Sequence, residues 1–193
     1  MFRKAKAILI SLLLLVTGCS KPVPEISIAE ETPKTYLIPN SLIEFTGMEV
    51  ADYEESLNKL GSEYVENAVK TDNGIEIQMT ESQKDSFIKR QKGFLENCKE
   101  RFLSHSDQYS IKNDNYRKIS MYYDENIEDV SELLALVSII TYSGILQILE
   151  TNDSDWKVEV NIYNCHTGSL VASGTFPGEG LEFGQDEWIA SYE

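Results

Sequence analysis

Histidine and cysteine are scarce in this sequence, and neither falls in a common metal-binding pattern. Among 193 residues there are two histidines, His105 and His166, and three cysteines. No two histidines are four residues apart, and no Cys-x-x-Cys occurs, although zinc sites commonly use these spacings. The sequence therefore predicts no metal site and no cofactor.

Motifs of nucleophilic catalysis are either missing or isolated. Ser56 and Ser86 each begin a Ser-x-x-Lys match, but both lie on predicted surface helices and lack the companion motifs of penicillin-binding enzymes. No Gly-x-Ser-x-Gly is present, and the glycine-rich segment 174–184 has no phosphate-loop lysine. The sequence offers no catalytic residue and favours a protein that is not an enzyme.

Basic residues are few, with 17 Lys and Arg against 32 Asp and Glu and a net charge of −15. Nucleic acids and anionic lipid surfaces attract Lys and Arg, so we expect this chain to bind neither. The charge favours a cationic peptide or protein, or a wall component, as the partner. The alternative is that the charge only keeps a surface protein soluble.

The apolar run near the N-terminus is too short to cross a bilayer. It covers residues 7–16, about ten residues, whereas a spanning helix needs roughly 20. Arg3 and Lys4 precede it, as in a signal peptide. The run is followed by Thr17-Gly18-Cys19, which resembles the lipobox of bacterial lipoproteins. We expect cleavage before Cys19 and a diacylglyceryl anchor on its sulfur at the outer face of the cell membrane. An ordinary signal peptide with a chance cysteine is the alternative.

The chain after this segment divides into three parts by composition. Residues 19–35 hold the lipidated cysteine and a flexible, proline-containing tether. Residues 36–177 have the apolar content of a single α+β domain, and residues 178–193 form an acidic tail with glycine and aromatic residues. Cys98 and Cys165 remain as a pair in an oxidising compartment. A disulfide between them is one interpretation, and two buried thiols are the other.

Hydrophobic periodicity predicts two long helices and three hairpins. The helices cover residues 80–103, with a Thr80–Gln83 capping box, and 127–150, with Asn126 as the cap. The hairpins cover 64–79, 108–124 and 156–176, and a short helix at 48–61 precedes them. We expect one antiparallel sheet of about six strands with both long helices on one face, and no parallel crossover, because each hairpin closes locally.

The second long helix has two interpretations. Residues 133–149 contain no charged side chain. Their length, 17 residues, is at the lower limit for a transmembrane span. Ser138, Ser143 and Gln147 interrupt its apolar character. We therefore expect the most deeply buried helix of the domain, with a second span as the alternative.

The predicted sheet has one polar face that carries aromatic side chains. Tyr122, Tyr163, Lys157 and Asn161 have outward parity on it. Exposed aromatics can bind a partner, and cross-strand packing is the alternative use. These features favour a membrane-anchored, non-enzymatic binding module. A protective lipoprotein against a basic toxin and a wall-acting hydrolase are the alternatives.

Short motifs along residues 37–177 support the anchored interpretation. They are Ile38-Pro39, Asp72-Asn73-Gly74 followed by Met79-Thr80, Tyr109-Ser110-Ile111-Lys112, the uncharged segment 142–146, Thr167-Gly168 and Pro177. With these motifs the chain resembles a group of small uncharacterised lipoproteins of clostridia-type Gram-positive bacteria. It departs from them at Lys84-Asp85, where the group has a His-Lys pair. The resemblance implies a lipoprotein and adds no chemistry.

Overall fold

The structure is a computed structural model that describes residues 31–124 and 130–193, the second range with side chains from Leu134 onward. The predicted signal peptide, Cys19, most of the tether and the Asn126 cap lie outside these residues. The described residues form seven strands and five helices. The strands are β1 (Lys34–Pro39), β2 (Asn67–Thr71), β3 (Gly74–Met79), β4 (Ser110–Asp114), β5 (Lys118–Tyr123), β6 (Val158–Asn164) and β7 (Leu170–Phe176). The helices are α1 (Asn40–Phe45), α2 (Val50–Asn58), α3 (Glu81–Leu103), α4 (Val130–Thr151) and α5 (Gln185–Ala190).

The first sheet has three antiparallel strands in the order β1-β3-β2. The β2–β3 hairpin is the one that the Asn73-Gly74 turn predicts. β3 alternates buried Ile75 and Ile77 with exposed Glu76, as a strand with one wet face should. β1 is an additional strand that the hydrophobic periodicity did not predict. Its pairing, such as Ile38 opposite Ile75, joins residues far apart in the chain.

The second sheet has four strands in the order β4-β5-β6-β7, and it is mixed. β4–β5 and β6–β7 are antiparallel hairpins, but β5 and β6 run parallel, with Met121 opposite Ile162. Parallel neighbours need a crossover connection, and α4 provides it. The prediction of a single antiparallel sheet of about six strands without a crossover is therefore wrong. Local hairpin signals do not fix how one hairpin pairs with the next.

The two long helices pack against each other and contact both sheets. α3 contacts β3 and β4, and α4 contacts β1 and β6, so the predicted arrangement on one face of one sheet is also wrong. The capping box of Thr80 and Gln83 at the start of α3 is present. The rings of Phe94 on α3 and Tyr142 on α4 stack at 5.6 Å.

Helix α4 fills the centre of the domain. Leu134–Thr151 is long and apolar enough to cross a membrane by length and composition, and 61% of it is buried inside the domain. Its buried Gln147 is hydrogen-bonded: the side-chain amide donates to the carbonyls of Tyr116 and Lys157. It is the core helix that its uncharged sequence predicts.

The C-terminal residues belong to the same compact unit, which extends from Glu31 to Glu193. Trp188 on α5 is buried, and its ring lies 5.3 Å from that of Tyr123 at the end of β5. The Asn164 amide donates to the Ser191 hydroxyl at 2.9 Å. The end of the chain is therefore docked against the second sheet.

Candidate functional site

The outward residues of the second sheet form a polar face with an aromatic pair, which we call the open face. Its members are Ser110, Lys112, Asp114, Lys118, Ser120, Tyr122, Glu159, Asn161, Tyr163, Leu170, Ser173 and Thr175. Tyr122 and Tyr163 are directly opposite across the parallel strands, and their rings stack at 4.8 Å. Both are half-buried. Lys112 Nζ lies 5.4 Å from the centre of the Tyr122 ring, so the pair presents an aromatic surface beside a cation.

One charged pair on the open face joins β5 to β6. Lys118 Nζ donates to Glu159 Oε1 at 2.7 Å, and the Asn161 amide donates to the same oxygen at 2.8 Å. The bond from Lys118 lowers the pKa of Glu159, and the same bond raises the pKa of Lys118. Asn161 is only 6% exposed. It therefore orients Glu159 and offers little surface to a partner.

Lys157 lies at the other end of β6 from the tyrosine pair. It lines a shallow cavity of about 360 Å³ together with Arg117, Glu159, Thr175 and Glu179. Tyr122, Tyr163 and Asn161 thus lie on the open face, whereas Lys157 directly precedes β6, and the four predicted binding residues do not form one compact patch. Cations and anions are mixed along this face, so its local charge does not follow the acidic charge of the whole chain.

A second group of reactive side chains lies at the carboxyl ends of β5 and β6. Asp124 follows β5 directly, and Cys165 and His166 follow β6. One ligand atom of each, a carboxylate oxygen, the thiol sulfur and a ring nitrogen, lies within 4.8 Å of the others. Because β5 and β6 are parallel, the two ends are adjacent. In α/β sheets, crevices at the carboxyl ends of parallel strands are common ligand sites.

Hydrogen bonds hold this group in place. The Tyr109 hydroxyl donates to Asp124 Oδ1 at 2.9 Å. The Cys165 amide donates to the carbonyl of Tyr123 at 2.9 Å, which extends the parallel pairing beyond β5. The His166 amide donates to Asn164 Oδ1 at 2.8 Å. Hydrogen bonds thus restrain the side chain of Asp124 and the backbone of Cys165 and His166.

Both cysteines of the described domain are free thiols. Burial raises the pKa of Cys165, and the neighbouring Asp124 carboxylate raises it further. Burial also raises the pKa of Cys98, whose side chain contacts Ser138 of α4. A raised pKa disfavours the thiolate form that nucleophilic attack requires, although Cys165 lies beside a histidine.

An apolar cleft of about 420 Å³ lies between α2, α3 and α4. Tyr53, Phe87, Phe94, Leu134 and Tyr142 are among the residues that line it. Burial raises the pKa of the Tyr53 and Tyr142 hydroxyls. The raised pKa favours the neutral form of both phenols, while Arg90 adds a cationic side chain to the lining of the cleft.

The Asp124–Cys165–His166 group was missed from the sequence because its members do not share a local spacing. A hydrolase would be favoured if His166 met two carboxylates and a serine in a cleft. Among the described residues the group around His166 contains one carboxylate and a thiol. The signal that could have found it is an acidic residue after one strand and Cys-His after another. That signal has meaning only when the two strands are known to be parallel neighbours.

Comparisons with known proteins assign no family to this chain. It matches no family model, no curated protein and no solved structure. Its function is therefore argued from the geometry above and from the N-terminal sequence.

Proposed function

We propose that this chain is a lipid-anchored protein at the outer face of the cell membrane, and that its domain binds a protein or wall component without catalysing a reaction. The observation that carries the binding role is the stacked, half-buried pair of Tyr122 and Tyr163 on the open face. Tyrosine supplies a large, rigid contact area that loses little conformational entropy on binding. The flanking Lys112 and the Lys118–Glu159 pair supply polar contacts around it.

The anchor is supported by the segment that ends in Thr17-Gly18-Cys19. Two acyl chains give durable attachment, whereas one chain is marginal. Changing Cys19 to Ser should therefore move the protein from the membrane fraction into the medium. If the variant stays with the membrane, the anchor is not at this cysteine.

Affinity capture tests the binding role. The wild-type chain should enrich a component from wall extracts or culture medium, and the Tyr122→Ala/Tyr163→Ala variant should not. Truncating aromatic hot spots costs about 2 kcal/mol or more, or roughly a 30-fold loss of affinity. The double variant loses about 0.5–1.5 kcal/mol of stacking energy and also the buried part of both rings. Because both rings are only half-buried, the variant should still fold.

A matched control lies on the outward face of the first sheet. Leu37 and Val69 both pair with Glu76 there, and Val69 is 46% exposed. The Leu37→Ala/Val69→Ala variant removes apolar surface on a different sheet and should capture the same component as the wild type. Equal capture by all three proteins, or capture by none, would contradict the proposed role of the open face.

A further inference from the structure

We propose that Asp124, Cys165 and His166 form a binding site for a divalent transition metal, and that zinc suits it best. A thiolate, an imidazole and a carboxylate are the three ligand types that zinc uses in proteins. A thiolate ligand disfavours magnesium and calcium, which prefer oxygen. This site is separate from the open face and does not depend on the function proposed for it.

The spacing of the side chains leaves room for an ion between them. His166 Nε2 and Asp124 Oδ2 are 3.8 Å apart, which is too long for a hydrogen bond. A tetrahedral zinc with bonds of about 2.0–2.3 Å places its ligand atoms about 3.5 Å from one another. The three ligand atoms lie within 4.8 Å of one another, so each has to move by little more than about 1 Å relative to the others to reach this spacing.

Neighbouring groups orient the ligands as an outer shell would. The Tyr109 hydroxyl holds one oxygen of Asp124, while the second oxygen is the one nearest His166. The Tyr192 ring stacks beside the His166 ring at 6.1 Å between centres. Such outer partners fix the direction of metal ligands and affect affinity.

The site is reachable from solvent. The side chain of His166 is 39% exposed and that of Asp124 is 18% exposed. The described residues supply three ligands, and a tetrahedral ion has a fourth position for water or for a donor atom of a partner. The net charge of −15 also raises the local concentration of cations.

Cobalt and zinc titrations test the site. The full chain is purified in detergent, reduced, stripped with a chelator and titrated with cobalt chloride. We expect a thiolate-to-cobalt charge-transfer band and the visible bands of a tetrahedral site, saturating at one equivalent and lost on adding zinc chloride. Cys165→Ser should abolish the charge-transfer band. His166→Ala and Asp124→Asn each remove a ligand and should weaken cobalt binding by more than about 100-fold. Tyr109→Phe changes only a residue that orients Asp124, and it should weaken cobalt binding by roughly 10-fold.

Control variants separate this site from the other potential ligands. Cys19→Ser, Cys98→Ser and His105→Ala should bind cobalt as the wild type does. His166 is exposed, so His166→Ala should keep the fold, which circular dichroism checks. The proposal is overturned if the wild type gives no charge-transfer band, if the band persists in Cys165→Ser, or if folded His166→Ala binds as tightly as the wild type.

Discussion

Replacing Gly144 by alanine tests whether α4 is packed inside the domain as described. A Cβ at this position would lie 2.8 Å from Cε3 of Trp156 and 3.0 Å from Cδ1 of Leu42. Contacts this short require both neighbours to shift, and overpacking a core costs about 1–3 kcal/mol. Trp156 has little freedom to move, because its indole N–H donates to Ser41 Oγ at 3.1 Å.

Gly93 on α3 provides the matched control. It is exposed, and a Cβ there would meet nothing within 4 Å. Alanine is favoured over glycine inside a helix by about 1 kcal/mol at both positions. Gly93→Ala should therefore stabilise the protein by about 1 kcal/mol, whereas Gly144→Ala should range from neutral to about 2 kcal/mol less stable.

Equilibrium unfolding in urea, followed by tryptophan fluorescence, measures both free energies of unfolding. An unchanged slope with urea concentration shows that the two variants expose the same surface on unfolding. If Gly144→Ala stabilises the protein as much as Gly93→Ala, then α4 does not pack against Trp156. That outcome would favour the alternative in which this uncharged helix crosses a membrane.

Three further changes address the cap, the core and the cleft. Thr80→Ala removes the side-chain oxygen that accepts from the Gln83 amide and should cost about 1 kcal/mol in urea unfolding; no change would mean that α3 begins elsewhere. Gln147→Leu leaves the carbonyls of Tyr116 and Lys157 without their donor and should cost about 3 kcal/mol; a loss below about 1 kcal/mol would contradict the buried network. Burial raises the pKa of Tyr53. The neutral phenol therefore contributes fully to the free energy of unfolding below about pH 10, and this contribution is lost as the pH rises through the higher pKa of the folded state. Tyr53→Phe should therefore lose less stability than the wild type as the pH rises above about 10, and equal losses in urea unfolding would contradict this.

Local signals in the sequence were sufficient for the hairpins and for the start of α3. The β2–β3 turn consists of Asp72 and Asn73, and Gly74 follows it opposite Thr71 with a φ of +146°, a conformation that favours glycine. Thr80 and Gln83 satisfy each other's backbone groups within one helical turn. Such features depend on residues only a few positions apart, so one sequence can reveal them.

The pairing between distant segments could not be predicted in the same way. β1 joins β3 across α1 and α2, and β6 joins β5 across α4. A hairpin satisfies its own inner hydrogen bonds, but its outer edges can pair with any other strand in either direction. In this fold α4 connects β5 to β6, and their parallel pairing brings Asp124 next to Cys165 and His166.

The parallel junction of β5 and β6 also sets an order of assembly. During synthesis the β4–β5 hairpin emerges well before β6, and an isolated hairpin is marginal in water. The outer edge of β5 stays unpaired until α4 brings β6 beside it. Pairing of strands that are far apart in the chain is slow. Asp124 therefore meets Cys165 and His166 only at this late step. A metal bound across the junction would stabilise the pairing of β5 with β6.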